Sequence, residues 1–544
     1  MKNFMTLILA AVFSWLVLLP MTVQADDTQF SALLDGLKQK SFSKKLMVVD
    51  QLELSGDERV LKIFQYMIEG SLYYEKNESA RIVFADKTES GFSIANVLDG
   101  TALGDVGKRD VRKIKVNNKL RGQLRLAIAK LSLNYPDPNL RRDAVRSMFK
   151  NMDAAAAQLL ADRQAIEGKE KVRDAIGVGI ALFDLESADQ QVKLKAIEVL
   201  GASMEPAARA ALLPLVAKDD TNDYLLQDRD MLTAAIKAVA RIDAKLEYNN
   251  WAETIYFGLS LGSVLLLAAI GLAITFGVMG VINMAHGELI MIGAYTTYVV
   301  QLLMPNHIEY SLLVAIPSAF LMAGLIGIAI ERGVIRFLYG RPLETLLATF
   351  GISLILQQLV RTVFSPLNRS VETPEWMSGA FEINSALALT YSRFYIIIFS
   401  LLVFASLLII LKKTSLGLHV RAVSQNRAMA RAMGIRSGWV DAMTFGLGSG
   451  IAGIAGVALS QLTNVGPNMG QAYIIDSFMV VVFGGVGNLW GTLVAAMSLG
   501  VINKVLEPWA GAVLAKIIVL IFIILFIQKK PRGLFPQRGR AAEH

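Results

Sequence analysis

The chain has 544 residues, a formal net charge of +8 and no cysteine. The lack of cysteine excludes disulfides, thiolate catalysis and cysteine metal sites, and the four scattered histidines show no metal-ligand spacing. Nucleic-acid binding is not indicated, because no basic run is interleaved with aromatic residues. An excess of Lys and Arg is also found in the cytoplasmic loops of membrane proteins, a possibility that the apolar segments described below support.

The N-terminal residues 1–25 are typical of a secretory signal peptide. Lys2 provides a positive charge, residues 5–19 form a short apolar run, and the small residue Ala25 provides a cleavage position. The run is also compatible with an uncleaved membrane anchor. In both cases the residues that follow lie outside the cytoplasm, so the sequence predicts a periplasmic domain over 26–250.

Three similar segments in this periplasmic domain predict helices of one kind. Each begins with an aspartate (Asp137, Asp189 or Asp228) and continues with apolar residues at three- and four-residue spacing. Such an aspartate caps a helix, and the spacing is that of an amphipathic helix. Offsets of 52 and 39 residues favour stacked helix pairs of the HEAT type, in a docking or support role. Nearer the N-terminus, 81–84 and 91–95 are compatible with short strands.

Residues 251–536 predict a polytopic membrane domain. Trp251 suits the membrane interface, and after Thr254 charge nearly vanishes from stretches long enough to cross a hydrocarbon core of about 30 Å. The apolar segments are 254–276, 279–303, 311–330, 343–364, 393–411, 441–462, 472–487, 491–506 and 511–528. We therefore expect an all-α polytopic membrane protein of about nine transmembrane segments, preceded by a mainly α-helical, HEAT-like periplasmic domain.

The charges between these segments orient the membrane domain. Lys and Arg cluster at 332–341, 412–436 and 529–540, whereas the alternate loops carry several acidic residues. The positive-inside rule makes the basic loops cytoplasmic, together with the tail 537–544, and implies an inner-membrane location. An outside N-terminal domain and an inside tail need an odd number of crossings. Nine crossings satisfy this requirement, and so do seven if the seventh and eighth segments are re-entrant.

Motifs for catalysis are absent from the sequence. It contains no Gly-x-x-x-x-Gly-Lys-Ser/Thr loop for nucleotide phosphates, no Ser/His/Asp triad and no paired carboxylates. We expect no catalytic residue, no metal and no cofactor, so the chain is not predicted to be an enzyme. If ATP drives its activity, hydrolysis must come from a separate subunit.

The segment 418–435 is the most informative soluble-facing part of the membrane domain. Ser424 is predicted to cap a short helix, Ala430 and Met433 to share one face of it, and Gly434 to end it. A small helix with an apolar face fits a groove on a partner protein. It is equally compatible with a helix that lies on anionic lipid.

Three motifs in the membrane domain resemble the branched-chain amino acid permease family of ABC importers. They are Gly271–Glu288 (GLAITFGVMGVINMAHGE), Arg421–Ile435 (RAVSQNRAMARAMGI) and Lys530–Phe535 (KPRGLF). The similarity covers about 251–536. It implies that the second motif contacts the ATPase, with coupling residues Arg421, Asn426, Arg427, Ala430, Met433, Gly434 and Ile435.

Within this family the chain is similar to the urea-type permeases. The similar features are Glu372–Trp376, Asn464–Phe478, Phe483–Gly491 and a long secreted N-terminal extension. The resemblance implies a complex with a second homologous permease subunit, two ABC ATPase subunits and a periplasmic solute-binding protein.

Polar residues inside the predicted spans are candidates for the solute pathway, because a charge at mid-span costs roughly 2.5–3.5 kcal/mol on insertion scales. The candidates are Asn283, His286, Glu288, Gln357 and Asp476. The first three are expected to converge on a pathway, or else to orient the cytoplasmic end of a span. Asp476 is also compatible with a helix N-terminal cap, and Gln357 with hydrogen bonding between helices.

Together these patterns favour the permease subunit of an ATP-driven importer that works by alternating access, with urea as the expected solute. Urea is uncharged, so its pathway needs amide or carboxylate oxygens and a few donors, without a fixed charge pair. The spans show no lone central Arg that would hold an amino-acid carboxylate. The alternatives are a permease for branched-chain amino acids or short amides, an ATP-independent urea or amide channel, and a membrane-anchored scaffold or sensor.

Overall fold

The structure, a computed structural model, describes residues 27–77, 80–88, 91–150 and 152–535. The chain divides into two compact units, Met1–Ala244 and Lys245–His544. The predicted signal peptide 1–25 and the predicted tail 537–544 lie outside the described residues.

The first unit begins with helices and an antiparallel sheet. The helices are α1 (Asp27–Asp35), α2 (Phe42–Leu54) and α3 (Arg59–Glu69). Within the described ranges the sheet has five strands in the order β4-β3-β2-β1-β5, namely β1 (Leu72–Glu75), β2 (Ile82–Lys87), β3 (Phe92–Asn96), β4 (Ala102–Val106) and β5 (Val111–Lys113). Helix α3 packs on the sheet through Tyr66, whose ring centroid lies 4.3 Å from that of Phe84. Strands β2 and β3 confirm the two predicted strands.

Further helices complete the first unit. They are α4 (Asn118–Leu133), α5 (Pro138–Met148), α6 (Ala154–Ile166), α7 (Glu170–Asp184), α8 (Gln190–Ala202), α9 (Pro206–Leu212) and the start of α10 (Arg229–Met279). The three repeated aspartates cap helices, as predicted. Asp137 and Asp189 accept backbone hydrogen bonds two residues ahead, at 2.9 and 2.8 Å, and Asp228 accepts one from Met231 at 3.1 Å. The HEAT-type assignment stays a prediction.

Buried arginine–carboxylate pairs join the helices of this unit. Arg141 on α5 donates two hydrogen bonds, both 2.9 Å, to Glu167 at the end of α6. Arg146, also on α5, pairs with Glu205 before α9 at 2.8 Å. Both carboxylates are buried. Removing one partner of such a pair leaves an uncompensated buried charge, at a cost of about 3–5 kcal/mol.

The second unit is built mainly from helices. They are the later part of α10 together with α11 (His286–Leu303), α12 (Ile308–Gly333), α13 (Pro342–Phe364), α14 (Tyr391–Lys413), α15 (Ser415–Gln425), α16 (Arg427–Ala432), α17 (Ser437–Ser460), α18 (Met469–Gly484) and α19 (Leu489–Lys529). A hairpin of β6 (Ala380–Asn384) and β7 (Leu387–Thr390) precedes α14. Six of the described helices, α10, α12, α13, α14, α17 and α19, are long and apolar enough to cross a membrane.

The predicted segments correspond to these helices with one departure. Backbone 280–285 is non-helical, so α11 begins at His286 rather than near residue 279. The last two predicted segments both lie in α19, where Gly511, with φ of 75° and ψ of 160°, breaks the helix at the start of the last segment, in agreement with two segments. Helix α18 has only 16 residues. The number of crossings, and the choice between spanning and re-entrant segments, stay predictions.

Glycines bring α11 into backbone contact with α17. A Cβ on Gly293 would lie 2.0 Å from the carbonyl oxygen of Gly453, and a Cβ on Gly456 would lie 2.0 Å from that of Ile290. No larger residue fits at these positions without separating the helices. The glycine-rich α17 therefore holds α11, which carries His286 and Glu288, in one position.

We expect Glu167→Gln to lower the free energy of unfolding of the first unit by about 3 kcal/mol at neutral pH. The hydrogen bonds from Arg141 hold the pKa of Glu167 at about 2, below its ordinary value of 4.5, and a shift of this size corresponds to about 3 kcal/mol. Because the carboxylate is the stabilised form, this contribution is present above the ordinary pKa and is lost as the pH falls toward 2.

Proteolysis rates of the first unit, measured in the full chain between neutral pH and the folded pKa, check this expectation. Glu167→Gln should be cleaved faster at neutral pH and should lose the part of the acid sensitivity that this carboxylate causes. Asp143→Asn, which changes a largely exposed carboxylate on the same helix as Arg141, is the control and should behave like wild type. Equal cleavage of wild type and Glu167→Gln at neutral pH would contradict the role of the pair.

Candidate functional site

The non-helical turn 280–285 positions the start of α11. Gly280 has φ of 68°, a left-handed conformation that favours glycine and ends α10. The Oδ1 of Asn283 accepts a hydrogen bond from the backbone N–H of Ala285 at 3.0 Å. The backbone N–H of Met284 donates to the hydroxyl of Thr349 on α13 at 3.1 Å. The turn is therefore held by its own side chain and by α13.

Glu288 is the centre of a buried polar cluster between α11 and α13. The residue is 1% exposed. Its Oε1 accepts hydrogen bonds from Nε2 of Gln357 at 2.7 Å and from the hydroxyl of Ser353 at 3.0 Å. Its Oε2 has no hydrogen-bond partner among the described residues. The structure thus brings two predicted pathway residues together and adds Ser353, which sequence reasoning missed although it precedes Gln357 by one helical turn.

His286 joins α11 to α10. Its ring is fully buried, and Nε2 lies 2.9 Å from the carbonyl oxygen of Ala268. Since a carbonyl oxygen only accepts, Nε2 carries the proton and donates, and Nδ1 of the neutral ring is an acceptor. The ring fits because Gly271 has no side chain, since a Cβ there would lie 2.8 Å from Cε1 of His286. Within the described part of the chain, no hydrogen bond joins His286 or Asn283 to Glu288. The expected convergence of the three residues is therefore one of neighbouring positions on one segment, without direct contact.

Helices α11 and α13 run parallel beside this cluster. Glu288 contacts Ser353 and Gln357, and seven residues later along each helix the ring centroids of Tyr295 and Phe364 lie 4.9 Å apart. Seven residues are close to two helical turns, so the two levels lie about 10.5 Å apart along the helices. The same face of α11 therefore presents a carboxylate at one level and a tyrosine at the next.

Asp476 makes no hydrogen bond to this cluster among the described residues. Its Oδ2 pairs with Nζ of Lys516 on α19 at 2.9 Å. Asp476 is well inside α18, so the alternative interpretation as an N-terminal cap is wrong. The partner is 40 residues away in sequence, and no local pattern indicates such a pair.

Arg361 is a cation that sequence reasoning overlooked. It lies one turn after Gln357 on α13, and its guanidinium donates to Oδ1 of Asn468 at 2.6 Å. No ion pair joins Arg361 to Glu288 among the described residues. The guanidinium of Arg361 therefore lies near the polar cluster, but it is hydrogen-bonded to the neutral side-chain amide of Asn468.

The predicted coupling segment folds as α15 and α16. Asn426 caps α16, because its Oδ1 accepts a hydrogen bond from the backbone N–H of Met429 at 2.9 Å. The prediction that Ser424 is the cap is wrong: Ser424 lies inside α15, and its hydroxyl donates to the carbonyl oxygen of Arg421. Gly434 follows the end of α16 with φ of 86°, which confirms the predicted helix end.

Ala430 and Met433 do not share an exposed face. Ala430 is 5% exposed and packs among the valines of α15 and α17, with Ile435 against the same cluster, whereas Met433 is 76% exposed. The predicted common face is wrong because Ala430 faces α15 and α17, whereas Met433, at the C-cap of α16, is exposed. The exposed apolar side chains of this segment include Leu418, Met429 and Met433.

Arg427 fastens α16 to α17. Its guanidinium donates two 2.8 Å hydrogen bonds to Asp441, lies 3.9 Å from the ring centroid of Tyr339 and also donates to the Tyr339 hydroxyl. That hydroxyl in turn donates to the carbonyl oxygen of Met279 at 3.2 Å. We call Arg427, Asp441 and Tyr339 the clamp. The clamp lines a cavity of about 570 Å³ and reaches the last residue of α10, directly before the turn 280–285.

The comparison with known proteins identifies this part of the chain. Residues 254–527 match the family model described as the permease component of the branched-chain amino acid transport system. The chain belongs to this permease family. The matched residues include the polar cluster around Glu288, the segment of α15 and α16, and the clamp.

Individual relatives agree with the family. The chain is 30% identical to the high-affinity branched-chain amino acid transport permease LivH of Salmonella typhimurium, over 299 residues that cover 53% of this chain and 96% of LivH. It is 27% identical to the corresponding BraD protein of Pseudomonas aeruginosa, with coverage of 53% and 96%. It is 26% identical to the ribose import permease RbsC of Escherichia coli, with coverage of 57% and 96%. No solved structure gives a significant match.

The C-terminal motif 530–535 of this permease packs against the loop between α18 and α19. The backbone N–H of Leu534 donates to the carbonyl oxygen of Phe483 at 2.9 Å, and that of Phe535 donates to Gly484 at 3.2 Å. Asn488 donates from its side chain to the carbonyl oxygen of Phe535 at 3.1 Å. Two segments that resemble known permeases therefore contact each other.

The clamp predicts that position 430 stays inaccessible while Arg427 holds Asp441. Because the chain has no native cysteine, Ala430→Cys introduces a single thiol. We expect this thiol to react slowly with a maleimide, and roughly tenfold faster after Asp441→Asn, since a loss of about 1.4 kcal/mol from the clamp raises the open population tenfold.

Met433→Cys is the matched control, because this position is already exposed. Its thiol should react rapidly with and without Asp441→Asn. Unchanged labelling at position 430 in the Asp441→Asn background would show that the clamp does not hold α16.

Proposed function

We propose that this chain is the translocating subunit of an ATP-driven importer in the inner membrane, and that its solute is urea. The observation that carries the proposal is the polar cluster around Glu288. A buried carboxylate oxygen there lacks a partner among the described residues, and the groups around it are a hydroxyl and an amide.

The chemistry of this cluster suits a small neutral amide. The N–H groups of urea can donate to the unpaired Oε2 of Glu288. The side-chain Nδ2 of Asn283, which has no partner in the described structure, is a donor available for the urea oxygen. Buried polar groups that stay unpaired cost about 1–3 kcal/mol each, so a solute that satisfies them is bound and oriented.

The second part of the proposal concerns coupling. The exposed Met429 and Met433, with the neighbouring arginines, form a surface suited to a groove on an ATPase subunit. Motion of α16 would reach the turn 280–285 through the clamp, because Tyr339 contacts Met279. In this arrangement ATP is hydrolysed by the partner, and the chain itself catalyses no reaction.

The same proposal covers the assembly. The importer contains a second homologous permease subunit, two ATPase subunits and a periplasmic solute-binding protein. The N-terminal unit lies in the periplasm and the C-terminus in the cytoplasm, as the basic loops predict. The solute-binding protein delivers the solute from outside, and the helices reorient by alternating access.

A branched-chain amino acid is the second candidate solute. The relatives LivH and BraD carry this solute class in their names, and Arg361 provides a guanidinium one turn from Gln357 that suits a carboxylate. Binding of an amino acid there would have to displace Asn468 from Arg361.

Uptake of labelled urea, with and without leucine as competitor, separates the candidates. We expect ATP-dependent urea uptake in cells that contain the chain, none in cells that lack it, and no competition by leucine. Saturable leucine uptake without urea uptake would overturn urea in favour of the second candidate. Urea uptake that persists after ATP depletion would overturn the importer in favour of a channel.

We expect Glu288→Gln to reduce urea uptake per inserted copy by at least about tenfold. The amide replaces a carboxylate acceptor with a group that also presents donors, and hydrogen bonds to a charged group contribute about 1.5–3 kcal/mol. Uptake normalised to the amount of protein in the membrane measures the effect.

Glu344→Gln provides the matched control, since Glu344 is an exposed carboxylate on α13 that pairs with Arg341 at the surface. It should transport like wild type. Normal uptake by Glu288→Gln would remove Glu288 from the pathway.

A further inference from the structure

Unpaired polar atoms are concentrated on one short segment of the permease. Among the described residues, buried side-chain atoms without a partner include Nδ2 of Asn283, Nδ1 of His286, Oε2 of Glu288 and the hydroxyl of Tyr295. All four side chains are at most 3% exposed. Nearly all buried polar groups in proteins are hydrogen-bonded. These four groups are therefore available to hydrogen-bond a small polar molecule that reaches the segment.

Tyr295, like His286, is a member of this set that the proposed function leaves unused. It lies seven residues after Glu288 on α11, so both side chains point to the same face. Phe364 lies seven residues after Gln357 on α13 and covers the Tyr295 ring, with the two ring planes 34° apart. The polar level at Glu288 is thus followed, about 10.5 Å along the helices, by a level of aromatic rings and one unpaired hydroxyl.

We infer that Tyr295 is a second solute-binding position, which selects planar neutral amides through its hydroxyl and the adjoining aromatic faces. The inference rests on the proposed function and specifies its substrate class. A flat amide lies against an aromatic ring while its in-plane N–H groups or its oxygen reach the hydroxyl, which can both accept and donate. The branched, tetrahedral side chain of leucine has no flat face to place there.

Two positions on one helix face also explain how a polar solute crosses an apolar region. At the level of Tyr295 its hydrogen bonds go to a neutral hydroxyl, and at the level of Glu288 they go to a carboxylate oxygen. The distance between the two sets of hydrogen-bonding partners is therefore about two helical turns, or about 10.5 Å. Phe364 covers the position at Tyr295, because its ring lies in contact with the Tyr295 ring.

The test is transport by the assembled importer with Tyr295→Phe, which removes only the hydroxyl. We expect urea transported per ATP hydrolysed to fall about fivefold, the effect of one hydrogen bond, while ATP hydrolysis itself continues. A general loss of folding would instead lower both rates together. Phe364→Leu, which removes the aromatic face, should also lower urea transported per ATP.

Tyr310→Phe is the matched control, because it removes the hydroxyl of an exposed tyrosine on α12 that has no part in the proposed pathway. It should keep the wild-type ratio. A wild-type ratio in Tyr295→Phe, or an equal loss in both tyrosine variants, would overturn the inference while leaving the importer intact. Failure of the wild-type assembly to transport urea would overturn the proposed function and, with it, this inference.

Discussion

The hydrogen bonds from Gln357 and Ser353 to Glu288 are the interaction on which the site depends. A carboxylate inside a membrane domain is costly unless its oxygens are paired, and here one oxygen has two donors while the other has none in the described structure. These bonds, together with the contact between Tyr295 and Phe364 seven residues later on each helix, show that α11 and α13 run parallel in one register. The opposite side of α11 is held by glycine contacts with α17, so the polar face cannot rotate away.

The clamp gives the surface segment a continuous physical connection to this site. Arg427 binds Asp441 and Tyr339, and Tyr339 binds the carbonyl oxygen of Met279. Met279 ends α10 and is followed by the turn that starts α11. A displacement of α16 would therefore be transmitted through packed and hydrogen-bonded groups to the segment that carries Glu288, as a rigid lever requires.

Local patterns predicted local features well. The three capping aspartates, strands β2 and β3, most helix positions and the helix end before Gly434 all follow from a few neighbouring residues. The errors arose where two local signals compete or where a partner is distant in sequence. Asn426 replaces Ser424 as the helix cap because α16 begins two residues later in the chain than expected. Ala430 is buried because α15 and α17 pack against it. The pairing of Asp476 with Lys516 has no sequence signature. For the cluster around Glu288, the sequence predicted Glu288 and Gln357 as pathway residues but not Ser353 or the contact between the two helices. Helical periodicity shows which residues share a face but not which helix covers that face.

Infrared difference spectroscopy of the assembled importer tests the central claim most directly, because it observes the Glu288 carboxyl group during solute binding. The account predicts that urea shifts a carboxyl or carboxylate band, that the band is absent in Glu288→Gln, and that leucine leaves it unchanged. If urea is transported while the Glu288 band does not respond, the solute does not contact this side chain, and the account of the pathway is wrong.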